Sequence, residues 1–173
     1  MQPRTTPRYL PPVTEERFWQ LVEQNIVLSA ELEVDTARLQ QALAALPAEE
    51  ILEYDEVFTR LYCASYARSL WGAAYIINGG CSDDGFDYFR AWLIAQGRET
   101  FERALQDPDS LADRCTAEVE CEEMLYVADR AYESATGRQM PRRPYRYPDL
   151  GDGWDFDDLA EMARRYPRLS ARF

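Results

Sequence analysis

The chain has 173 residues, 46% hydrophobic, 13% aromatic and 29% charged, the composition of one folded domain large enough to bury a core without disulfides or metals. Its 31 acids against 19 bases give a net charge of −12; every base is Arg, and Lys and His are absent. Those absences exclude Ser-His-Asp and Cys-His nucleophile pairs, imidazole metal sites, a phosphate loop that relies on its Lys, and Lys Schiff bases.

Residues 1–13 (MQPRTTPRYLPPV) are rich in Pro and Arg and lack an apolar h-region, so they read as a flexible arm rather than a secretory leader. From 14 onward helical periodicity recurs and strict strand alternation does not. Thr14 caps a first helix with Phe18, Leu21, Val22 and Ile26 on one face, and Asp35 opens a second with Leu39, Ala42, Leu43 and Leu46. Pro47 precedes a third, carrying Ile51, Tyr54, Phe58, Leu61 and Ser65. Leu70–Ile77 (LWGAAYII) is apolar all round, which predicts a buried central helix stopped by Asn78-Gly79-Gly80. Ser82 caps a helix over 83–96, Gly97 closes it, and another covers about 99–106 before Asp107-Pro108. A long helix is expected from about 117 to 135, its stripe Cys121, Leu125, Ala128, Tyr132 and Ala135, with Gly137 ending it.

Composition then shifts. Residues 138–148 (RQMPRRPYRYP) hold four Arg and three Pro, and residues 149–161 (DLGDGWDFDDLAE) hold six acids and no base. A short helix is expected over 157–165 and an extended end over 166–169. The fold class is therefore all-α: a single compact multi-helix domain around a buried central helix, with a non-helical Pro/Arg-rich C-terminal wrap. The expected division is an arm over 1–13, the helical domain over 14–137, and a wrap with a short helix over 138–173 packed on the same domain.

Candidate chemistry concentrates between Trp71 and Gln96. A Gly-rich turn running into a helix start is a general anion site, but Asp83 and Asp84 already place negative charge there. Asp83 and Asp87 share a helix face and are the candidate ligands for a divalent cation, although the expectation is that no metal and no other cofactor is bound. Cys81 sits where a helix dipole lowers a thiol pKa; together with Asp83 and Asp84 it is a candidate catalytic group, opposed by the neighbouring carboxylates. Arg90 lies among Phe86, Phe89, Trp92, Leu93 and Ile94 and needs an anionic partner, which Asp87 and Asp83 on the same stripe supply. The Arg/Tyr/Pro stretch is expected to fold back on the protein's own acids.

At −12 the body repels phosphate backbones, so nucleic acid is not the expected partner. No run approaches the ~20 apolar residues of a membrane span, so no membrane partner is expected either. Cys63, Cys81, Cys115 and Cys121 follow no ligand spacing and read as free thiols of a cytoplasmic protein.

Residues 70–97 (LWGAAYIINGGCSDDGFDYFRAWLIAQG) resemble the signature of a bacterial family known as domain of unknown function 4240. Phe18-Trp19 with Leu21 is similar to its opening helix, 51–58 to its third, 104–111 to the stretch after the signature and 166–169 to its end. The resemblance carries no assigned activity. Some members are joined to a WGR module associated with nucleic acid, for which this chain has no room.

Two readings follow. One is a binding or regulatory module that recognises a protein segment or small ligand in a groove near 71–96. Its candidate contacts are Trp71, Tyr75, Asn78, Ser82, Asp83, Asp84, Phe86, Arg90 and Trp92. The other is a His-free enzyme that works through carboxylates, with or without a divalent metal, between Asn78 and Arg90. The first is favoured.

Overall fold

The computed structural model describes residues 13–30, 32–115, 118–142, 144–151 and 153–173, so all of the expected arm except Val13 lies outside the described residues. Val13 is buried, and its N–H donates to Glu53 Oε2 at 2.8 Å. Thr14 then caps α1 (Glu15–Asn25), its hydroxyl accepting from Arg17 N at 3.2 Å, and Phe18, Trp19, Leu21 and Val22 turn inward. A two-residue antiparallel ladder, β1 (Val27–Leu28) with β2 (Val34–Asp35), pairs Val27 with Asp35 and Leu28 with Val34. It is too short to leave an alternation in the sequence. Asp35 lies on this ladder and not inside the next helix; α2 (Ala37–Ala44) begins two residues later, with Asp35 Oδ1 accepting from Ala37 N at 2.8 Å.

The remaining helices are α3 (Ala48–Ala64), α4 (Arg68–Ile77), α5 (Asp83–Ala95), α6 (Arg98–Gln106), α7 (Val127–Thr136), α8 (Leu159–Arg165) and α9 (Pro167–Ser170). The most deeply buried of them is α5, where Phe86 and every residue from Phe89 to Ala95 are inside. α4, expected at the centre, buries Leu70, Gly72, Ala73, Ala74 and Ile77 but leaves Trp71, Tyr75 and Ile76 half-exposed. α7 packs across α2 and α3, and one hydrophobic core runs from Val13 to Leu169. Among the described residues no helix is long and apolar enough to cross a membrane.

Two sequence expectations fail for tertiary reasons. The long helix over 117–135 is replaced by irregular chain at 118–121, a 3₁₀ turn at Glu122–Tyr126, and α7; position 117 itself lies outside the described residues. The side chain of Asn78 donates to Val119 O at 3.1 Å and accepts from Val119 N at 3.0 Å, and Cys121 N donates to Tyr88 O at 3.1 Å. Those bonds engage backbone groups that a helix would need for itself. The extended end over 166–169 is instead α9. The buried Asp109 carboxylate caps it, accepting from Arg168 N at 3.1 Å and Leu169 N at 2.9 Å. Tyr166 Oη donates to Ser69 O at 2.7 Å and lies so close to Gly72 that only glycine fits beneath it. The C-terminal helices are thereby fixed to α4, and the described residues between 138 and 158 carry no helix or strand and form a strap tethered at both ends.

Candidate ligand-binding face

The start of α5 is built as a helix cap. Ser82 Oγ accepts from Gly85 N at 3.2 Å, and Asp83 and Asp84 stand exposed in the first turn, complementing the dipole. Asp87 is committed to Arg90. Among the described residues no three Cys, Asp or Glu side chains come together in a group that could hold a metal ion. Burial pushes the Cys81 thiol up to about 11 against a smaller opposing pull from Trp71, so at neutral pH it is protonated and a poor nucleophile.

Arg90 is fully buried. Its Nη1 donates to Tyr62 O at 2.7 Å, and its Nη2 donates to Asp87 and to Tyr147 Oη, the latter at 3.1 Å. The guanidinium carbon stands 3.8 Å from the Tyr62 ring centre, 4.8 Å from Tyr147 and 5.0 Å from both Tyr66 and Phe86. A desolvated cation is thus met by one carboxylate, one carbonyl, one hydroxyl and four ring faces, while its Nε has no hydrogen-bond partner. Asp83, expected as a second anion for Arg90, stays at the surface. Burial raises the Tyr62 phenol well above its ordinary range, and the hydrogen bond to Tyr147 helps push Tyr145 up to about 12.

The α4 surface on which a groove was expected is covered by the chain's own C-terminal segment. Trp71 stacks on Phe86 with centroids 4.7 Å apart, and its Nε1 donates to Cys81 O at 2.9 Å. Onto the surface made by Tyr66, Arg68, Trp71 and Tyr75 the strap lays four side chains. Tyr147 stacks on Tyr66 at 4.2 Å with rings 15° apart. Trp154 lies between Arg165 at 3.8 Å and Arg68 at 5.7 Å, and its carbonyl accepts from Arg68 Nη2 at 2.7 Å. Phe156 sits 5.0 Å from the Arg68 guanidinium and 5.4 Å from the Tyr75 ring. Asp157 Oδ1 accepts from Tyr75 Oη at 2.5 Å, which holds that phenol's proton more tightly than usual.

Other expected contacts are placed differently. Phe86 and Trp92 have no exposed surface and belong to the core, with Trp92 Nε1 donating to Leu32 O at 3.2 Å. Asn78 is occupied by Val119. Tyr62, Tyr66, Arg68, Tyr147, Trp154, Phe156 and Asp157 were not singled out in the sequence; aromatic residues spaced among Gly, Pro and Asp between 145 and 157 were the available signal.

In the basic stretch, Tyr147 and the half-buried Met140 pack against the core. Among the described residues Arg138, Arg142 and Arg146 make no ion pair and remain exposed. Beneath the start of the strap a cavity of about 660 Å³ opens between Phe58 and Tyr62 of α3, Asp129 and Glu133 of α7, and Met140, Arg142 and Tyr145.

A family model described as a protein of unknown function (DUF4240) matches residues 13–134, which contain the whole α4–α5 face but not the strap laid upon it. No curated protein and no solved structure matches the chain.

Proposed function

The chain belongs to this family of unknown function, and since that membership hands on no activity, we propose from the geometry that it is a binding module. Its α4–α5 face receives an extended, acidic and aromatic polypeptide segment, and residues 144–158 of the chain itself act as the internal ligand. One observation carries the reading: a strap whose described residues carry no helix or strand is held by four of its side chains and by the Trp154 carbonyl. Tyr147, Trp154, Phe156 and Asp157 meet Tyr66, Arg68, Trp71 and Tyr75. Extended peptides are recognised in this way, with aromatic anchors for affinity and a few charged contacts for register. The two guanidiniums beneath the strap, Arg68 and Arg90, select aromatic and acidic anchors over basic ones. The reading requires no cofactor. It places the protein in the cytoplasm, where the four free thiols remain reduced.

The test is competition between the strap and its copy. A fluorescent peptide with the sequence of residues 144–158 is titrated, by anisotropy, into the wild type and into full-length chain carrying Tyr147→Ala, Trp154→Ala and Phe156→Ala. The tethered strap acts at an effective concentration of about a millimolar, so for a segment that binds with a dissociation constant of about 10 μM its release strengthens peptide binding by about a hundredfold. Equal or absent binding to both chains, with the variant folded by circular dichroism, refutes the proposal.

A further inference from the structure

Within the strap, Gly153 lies directly on the Arg68 guanidinium. A methyl on its Cα would fall 1.7 Å from Nε, 1.9 Å from Cζ and 2.4 Å from Cδ of Arg68, closer than atoms can approach. The tip of an ordinary surface arginine would swing aside for that methyl. This one is held: its Nη2 donates to Trp154 O at 2.7 Å, and its guanidinium carbon stands 5.7 Å from the Trp154 ring centre and 5.0 Å from that of Phe156. Making room at 153 therefore disturbs the contacts that bind the next residues of the strap. Gly151 differs, since a methyl there would meet nothing within 4 Å, and glycine is needed only for its φ of +64°.

The residue after Gly153 meets a second cation. The Arg165 guanidinium stands 3.8 Å from the Trp154 ring centre, and its Nε donates to Glu161 Oε1 at 2.6 Å. Both arginines lie outside the strap, Arg68 at the start of α4 and Arg165 at the end of α8. The indole Nε1 is buried with no hydrogen-bond partner among the described residues, so Trp154 is recognised by its ring and not by its polar edge. A position that must have no side chain thus immediately precedes one that must have a large electron-rich ring. Resting on the binding reading above, we propose that the α4–α5 face is specific for Gly-Trp. The partner it takes is an extended segment in which Gly-Trp is followed by a second aromatic residue and an acid, and a side chain in place of the glycine excludes the segment by collision with Arg68.

The experiment compares two labelled peptides of residues 144–158, one with the natural sequence and one with Gly153→Ala. Both are titrated into the strap-released chain and into the same chain carrying Arg68→Ala. Alanine has less conformational freedom to lose than glycine, so with open space at 153 it would bind as well or slightly better. The methyl against Arg68 is expected instead to weaken binding by at least about tenfold. In the Arg68→Ala chain the two peptides are expected to agree within about twofold, because the group that the methyl strikes is gone. Gly153→Ala in the otherwise wild-type chain loosens the tethered strap by the same factor, so the natural peptide then binds about tenfold more tightly than to the wild type. If the natural peptide binds the released chain and the alanine peptide binds as tightly, the glycine requirement is overturned while the binding reading stands. A loss that persists undiminished without Arg68 comes from the backbone at 153 and overturns it as well. Binding of neither peptide overturns both.

Discussion

Replacing Arg90 by Met removes a buried guanidinium while keeping most of its apolar stem. The loss includes a charge-assisted hydrogen bond to Tyr62 O, made at 2.7 Å and contributing ~1.5–3 kcal/mol, and a desolvated interaction with four rings contributing ~2 kcal/mol. Two effects offset part of it. No cation then has to be stripped of water, and the Asp87 side chain, 34% exposed, can hydrate when left alone. The net cost is about 2–4 kcal/mol, which for a domain of this size lowers Tm by roughly 4–16 °C. Urea unfolding followed by circular dichroism at constant m-value measures it, with Arg90→Lys as a second variant. Lys carries the charge but cannot reach carbonyl, carboxylate and hydroxyl in one plane, so most of the loss should persist. Hydrogen exchange across 144–150 should rise in both variants, since Tyr147 loses its donor. A destabilisation below about 0.5 kcal/mol would show that Arg90 is hydrated in solution and that the aromatic box is not a structural unit.

Three further outcomes are expected. Gly72→Ala would set a methyl 2.9 Å from Cζ of the buried Tyr166 ring and cost ~1–3 kcal/mol by overpacking, part of which Tyr166→Phe should restore; an unchanged Tm would contradict the docking of α9 on α4. Ser82→Ala should cost ~0.5–2 kcal/mol equally in EDTA, Mg²⁺, Mn²⁺ and Ca²⁺, whereas a metal-dependent difference in melting would reinstate a cation site at the start of α5. Burial raises the thiols from 9.0 to about 11 at Cys81 and Cys121 and about 12 at Cys115, and the Tyr166 phenol from 10.0 to about 12. The native state therefore holds protons that the unfolded chain releases, so stability is complete below pH 9 and falls as pH rises toward 12. A Tm that stays flat from pH 8 to 11 would contradict that burial.

The all-α architecture was legible because apolar spacing and local signals agree: Thr14 and Ser82 cap helices, and Gly137 ends one in the left-handed conformation at φ 69°. Arg90 stood out as a cation in an apolar helix, and Asp87, one turn away, was a readable partner. Its other partners were not. Tyr62 and Tyr147 lie 28 and 57 residues away, and no helical periodicity reports which distant ring covers a given face. The same limit explains α9, whose cap Asp109 is 59 residues from Arg168, and the shortened α7, where Asn78 and Tyr88 capture the preceding backbone. Phe86 and Trp92 were misplaced for a different reason. α5 is buried on nearly every side, so its pattern cannot tell a groove lining from a core.

The central claim is that the α4–α5 face, through Arg68, Trp71 and Tyr75, receives an extended acidic and aromatic segment. The most direct measurement is the anisotropy titration of the 144–158 peptide into the strap-released chain, with and without Arg68→Ala. Arg68 is half-buried beneath the docked strap and gives it a carbonyl hydrogen bond and two ring contacts. Its loss should weaken the peptide by at least about tenfold, equivalent to ~1.4 kcal/mol. An unchanged dissociation constant in a folded variant would put the peptide elsewhere and contradict the account.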